Sequence, residues 1–116
     1  MERVIKAFFN SIAAWRHLIV SEKAFQQEAA LLAAALPLAW FVAADARTYL
    51  MLVGSVVLIM IVEVLNTGIE AACNALSREF HADIKIAKDC GSLAVLMSIG
   101  IAGSVWGLTI WRLLVA

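Results

Sequence analysis

Residues Cys90–Trp111 (CGSLAVLMSIGIAGSVWGLTIW) run for 22 positions without a charge. At 1.5 Å per residue such a helix covers about 33 Å, enough to cross the roughly 30 Å hydrocarbon core of a bilayer. Two further apolar stretches lie before it. Ala29–Ala44 (AALLAAALPLAWFVAA) is bounded by Glu28 and Asp45, and Phe25, Gln26 and Gln27 extend it at the interface. Tyr49–Val62 (YLMLVGSVVLIMIV) continues as EVLNTGIEAA to Ala72. Pro37 falls inside the first stretch, where neighbouring helices or side chains satisfy the freed carbonyl, so a kink is expected and not a stop. Three spans are therefore predicted, at about residues 27–44, 48–72 and 88–112. The composition agrees: 64% of the 116 residues are hydrophobic and 16% charged, outside the range of soluble domains. The length allows one domain, residues 1–116. Nine basic residues balance nine acidic ones, which argues against a nucleic-acid binder.

Upstream of the spans, over about residues 2–20, Val4, Ile5, Phe8, Phe9, Ile12, Trp15 and Ile19 recur at helical spacing, with Arg3, Lys6, Asn10 and Arg16 largely off that stripe. This pattern predicts an amphipathic helix lying in the membrane surface. Its striped apolar residues and missing cleavage site distinguish it from a secretory signal. The fold class expected is an all-α membrane protein: a surface helix followed by three transmembrane helices.

Orientation follows from basic residues, which favour the cytoplasmic side. Arg3, Lys6, Arg16, Lys23, Arg78, Lys85 and Lys88 fall on one side, Arg47 and Arg112 on the other. The amino terminus is then inside and the carboxyl terminus outside, and Trp40, Trp106 and Trp111 sit near the outer interface. Cys73 and Cys90 lie towards the reducing cytoplasmic face, without metal-ligand spacing, and imply no disulfide.

The second span carries Glu63, Asn66 and Glu70. A carboxylate at mid-bilayer costs on the order of 2.5–3.5 kcal/mol on insertion scales, so it needs a partner or a function. At 100° per residue these three share an arc of about 60°, one helix face. Measured from Tyr49, Glu63 lies about 21 Å along the helix, near headgroup level, and Glu70 about 10 Å further, at the water boundary. A desolvated Glu63 suits a general base, and Glu70 suits a hard cation such as Mg²⁺. Asn66 fits interhelical hydrogen bonding as readily as a site. Glu22, after Ser21 and before Gln26 and Glu28, is another acid at the same face, though Ser21 and Gln26 also fit helix-start chemistry. Lys88 and Asp89 stand at the mouth of the third span, where a lysine either reaches phosphate oxygens or snorkels. Gly103-x₃-Gly107 reads as helix packing. Phosphate-binding glycine loops and the HRD and DFG elements of protein kinases are missing. A small multidrug transporter shares the length and a membrane-embedded glutamate, but such proteins usually have four spans and carry the acid in the first.

The stretch EVLNTGIEAACNALSREFHADIKIAKDCGSLAVL, with RVIKA and SEKAFQQE before it, resembles the small bacterial integral-membrane diacylglycerol kinases over nearly the whole chain. The resemblance implies a homotrimer in the bacterial inner membrane, active sites shared between subunits, and ATP with Mg²⁺ as phosphoryl donor. It implies Glu63 as the base acting on the diacylglycerol hydroxyl, and Glu22 and Glu70 as Mg²⁺ ligands. It implies nucleotide contacts from Arg3, Asn10, Glu22, Glu70, Glu79, His81, Lys88 and Asp89, with Asn10 departing from the family's tyrosine. It implies a lipid site of Arg3, Ala24, Phe25, Gln27, Glu28, Glu63, Asn66 and Ser92. A sister group of the same fold phosphorylates undecaprenol, and Gln26, Gln27 and Glu28 after Phe25 favour diacylglycerol.

Overall fold

The computed structural model describes every residue from Met1 to Ala116. Four helices follow one another with no strand: α1 (Glu2–Ser21), α2 (Lys23–Val42), α3 (Ala46–Leu76) and α4 (Ala82–Val115). The last three are long and apolar enough to cross a membrane. At 1.5 Å per residue, α3 and α4 are about 46 and 51 Å long, so both overrun the hydrocarbon. α3 is the central element and packs against both α2 and α4, while α1 rests on the start of α2.

The stripe that α3 buries explains why it is central. Leu52, Ser55, Val56, Ile59, Met60, Glu63, Asn66 and Cys73 are covered, at the three- and four-residue spacing of one helix face. That face is apolar at its start and polar at its end. The rest of the molecule has the reverse character of a soluble protein: Leu31, Leu38, Phe41, Ile61, Leu65 and Leu96 are exposed. The accessible surface is 8479 Å², against about 6,200 Å² for a compact soluble chain of this mass. Hydrocarbon or other protein must cover the excess.

The elements are joined by specific contacts. α2 continues as helix through Pro37, so the proline is not a stop. The Tyr49 hydroxyl donates to the carbonyl of Leu36 beside it (3.1 Å), and Trp40 stacks edge-on against Tyr49 at 6.0 Å. Asp45 caps α3 by accepting the Thr48 N–H at 2.8 Å. Trp106 is half-buried, and its indole N–H donates to the Leu52 carbonyl (3.1 Å), tying α4 to α3. The packing thus gives this tryptophan an interhelical bond, whereas Trp40 and Trp111 stay exposed.

Between α1 and α2 there is a single extended residue, Glu22 (φ −105°, ψ 110°). The Gln26 side chain reaches back and donates to the carbonyls of Ile19 (3.0 Å) and Val20 (3.2 Å). Ser21 ends α1 and Glu22 stands at the N-cap position of α2, so Gln26 serves a helix terminus and not the helix start that its spacing from Ser21 suggested. Trp15 meets Phe25 edge-on at 5.0 Å, and Leu18, Phe25 and Met60 form a small core under the elbow.

Candidate active site

The polar end of the α3 stripe is where chemistry concentrates. Glu63 and Asn66 are 8% and 7% exposed, and Glu70, one turn on, is half-buried. Asn66 Nδ2 donates to Glu70 Oε1 at 3.3 Å, which links two of the three polar residues on that face. Asn66 is held from the other side by α4: its Oδ1 lies so close to Gly91 that any Cβ there would collide with it. That oxygen is buried and accepts no hydrogen bond, as is Glu28 Oε1 on α2.

Four acids converge here from three segments. Glu63 lies within electrostatic reach of Glu22 and Glu70, and Glu28 within reach of Glu63. None has a cation within 4 Å, because the chain's single ion pair is Lys85–Asp89 at 2.7 Å. Uncompensated carboxylates in a low-dielectric setting are costly unless a proton, a metal ion or a partner neutralises them.

Glu22 and Glu70 line one open cavity of about 360 Å³. Thr67 and Asn74 line its α3 side, Arg78 lines it just beyond that helix, and His17 lines it from α1. Ala71 and Ala75 also line it, and their small side chains leave space. Asn74 also accepts a hydrogen bond from Lys88 Nζ at 2.9 Å, so α4 brings a lysine to the edge of this cavity through a neutral amide. The arrangement sets two carboxylates and an arginine around one open space, with a third, deeper carboxylate one turn from Asn66.

Comparison with known proteins bears on what such a site does. Residues 9–110 match the family of prokaryotic diacylglycerol kinases. The chain belongs to that family. It is 39% identical over 109 residues to the diacylglycerol kinase of Escherichia coli (strain K12), covering 94% of this chain and 89% of that protein. The similar enzyme of Haemophilus influenzae is 31% identical over 107 residues, covering 92% and 91%. That of Pseudomonas aeruginosa is 29% identical over 106 residues, covering 91% and 86%. As a prokaryotic diacylglycerol kinase with three apolar helices, the chain is a multi-pass membrane protein.

For a diacylglycerol kinase the remaining sequence candidates are scattered about this centre. Within the chain the structure gathers Glu63, Asn66, Glu70, Glu22 and Glu28, with Lys88 at the margin. Phe25 is buried under the elbow, while Ala24 and Gln27 beside it are exposed. Arg3 and Asn10 are exposed on α1, and Ser92 is exposed on α4. Asp89 is engaged with Lys85, and both side chains are mostly in solvent. Glu79 is exposed in the α3–α4 connection, its N–H bonded to Ser77 Oγ at 3.1 Å. His81 caps α4, its Nδ1 accepting from the Asp83 N–H at 3.2 Å. His17, Thr67, Asn74 and Arg78 belong to the cavity and were not among the sequence candidates.

The donor set fits a hard divalent cation. Two carboxylates meet on an open cavity, and no group of three or more carboxylate, imidazole or thiolate ligands encloses an ion. Mg²⁺ bound with a nucleotide takes one or two carboxylates and fills its remaining positions with phosphate oxygens and water.

Proposed function

We propose that this chain transfers the γ-phosphoryl group of ATP to the primary hydroxyl of diacylglycerol, giving phosphatidic acid and ADP, at the cytoplasmic boundary of the membrane. The observation that carries this is the continuity of one α3 face, from the buried Glu63 through Asn66 to Glu70 on the open cavity that Glu22 also lines. One end of that line meets lipid depth and the other meets water, as the two substrates require.

Glu63 acts as general base. It accepts the hydroxyl proton as the lipid oxygen forms its bond to the γ-phosphorus, and the bond from that phosphorus to the β,γ-bridging oxygen breaks in line. Phosphoryl transfer of this kind depends on positioning and electrostatics, which is why a few side chains suffice. Glu22 and Glu70 hold Mg²⁺, which when bound offsets the negative charge of the triphosphate. Asn66 orients Glu70 through its amide. Lys88, bonded to a neutral Asn74 and not to a carboxylate, keeps its positive charge for the transferring group. α1 lies in the membrane surface, its uncovered Val4, Ile5, Phe8 and Phe9 turned to lipid. Three copies assemble, with their sites at the subunit boundaries. Arg3, Asn10, Glu79, His81 and Asp89 serve the nucleotide there, and Ala24, Phe25, Gln27, Glu28 and Ser92 serve the lipid. The amino terminus faces the cytoplasm.

The test is phosphoryl transfer by the purified protein in detergent with ATP, Mg²⁺ and a single lipid alcohol. Phosphatidic acid formed from diacylglycerol, with undecaprenol turned over at least tenfold more slowly, is the expected result. Preference for undecaprenol would move the chain to the other substrate, and ATP-independent proton-coupled efflux without lipid phosphorylation would overturn the reading.

A further inference from the structure

We propose that Arg78 is a nucleotide-binding residue of this enzyme, contacting the phosphates that are not transferred. This rests on the kinase reading above and assigns a residue that no sequence pattern singled out. Three observations carry it. Arg78 lines the same cavity as Glu22 and Glu70. It has no ion-pair partner, since neither carboxylate is within 4 Å of it. It stands just past the end of α3, two residues beyond Leu76, and among the cavity residues that follow Glu63 it is the farthest in sequence.

The order along the chain is fixed: Glu63 lies buried before the cavity begins, Glu70 and Asn74, the latter bonded to Lys88, line it on α3, and Arg78 lines it just beyond the end of that helix. A nucleotide whose γ-phosphate faces Glu63 extends its β- and α-phosphates outward, towards Arg78. Guanidinium is suited to that position. It stays charged at all working pH values and offers a planar fork of donors to phosphate oxygens. An unpaired arginine beside two acids that hold a cation gives the cavity both signs of charge that a metal–nucleotide complex needs.

The experiment uses the full-length protein in detergent or nanodiscs. Arg78→Ala is expected to raise KM for Mg-ATP about tenfold, the scale of one lost charge-assisted hydrogen bond. KM for diacylglycerol and kcat at saturating ATP should stay within about twofold, on the same reasoning. Inhibition by ADP should weaken by a factor similar to that for ATP, because ADP retains the phosphates in question. Direct binding of a non-hydrolysable ATP analogue should fall in parallel, and Arg78→Lys should recover part of the loss. An active Arg78→Ala enzyme with unchanged KM for ATP and unchanged analogue binding would overturn the assignment while leaving the kinase reading intact. Equal losses in kcat and in both KM values would also overturn it, as damage to the fold. Absence of lipid phosphorylation by the unaltered protein is the separate outcome that removes the kinase reading itself.

Discussion

Asn66 packs against Gly91 of α4, one turn along α3 from Glu63, the proposed base. Glu63→Gln keeps the shape and removes the basic oxygen, so kcat should fall by about 10²–10⁴ in the lipid phosphorylation assay. Circular dichroism should remain that of the unaltered protein. Glu70→Ala should shift the Mg²⁺ concentration giving half-maximal rate upward, and an unchanged Mg²⁺ titration would take Glu70 out of the ligand set. Gly91→Ala should displace the Asn66 carboxamide, since a Cβ has no room beside Oδ1. The expected cost is about 1–3 kcal/mol in stability together with lost activity. Because the effect runs through Asn66, adding Gly91→Ala to an Asn66→Ala background should cost little more, which a double-mutant cycle measures. The three-residue polar face was legible from helical spacing alone, and its fourth member was within reach of the same rule. Asn74 lies four residues after Glu70 on that face and lines the cavity. Asparagine near the end of an apolar helix carries no charge signal, so it was not singled out from the sequence. His17 and Arg78 are some 60 positions apart, and only the tertiary fold brings them to line one cavity; no local pattern encodes that.

At the level of elements, the apolar runs and the proline tolerated within α2 were readable because membrane burial imposes length and composition directly. Helix termini were less so, because several polar residues near an end compete for the same unpaired backbone groups. The α1–α2 elbow shows this: Gln26 serves the last carbonyls of α1 from within α2. Gln26→Ala should speed hydrogen exchange at the end of α1 and in the first turn of α2 while leaving the α3–α4 pair protected. The α2–α3 turn offers a pH test outside the membrane. The Thr48 backbone N–H, with help from the Thr48 hydroxyl and Arg47, holds the Asp45 carboxyl below the usual carboxylate range. A group lowered on folding adds stability that is present above its unfolded value, about 3.9, and is lost as pH falls through the depressed folded value. The Tm advantage of the unaltered protein over Asp45→Asn should therefore be full at pH 7 and shrink below about pH 4.

The whole molecule is an incomplete object taken alone. Its accessible surface exceeds that of a soluble chain of its mass, and Gly100, Gly103 and Gly107 on α4 have no neighbour over them within the chain. The Gly103-x₃-Gly107 pattern therefore packs nothing inside a protomer. In the proposed trimer this face meets another copy, since small residues allow helices to approach closely; Gly103→Leu should then leave α3 and α4 paired yet lower the fraction of cross-linked trimers in detergent. Equal trimer yield from both proteins would assign that face to lipid. The one-residue joint at Glu22 has a mechanical meaning at this scale. The residue at which the backbone changes direction also carries a carboxylate that lines the cavity. The amino-terminal helix thus turns on a residue whose side chain faces the cavity: a tilt of that arm moves the acid, and under the metal role proposed for Glu22 a bound cation would restrain the arm.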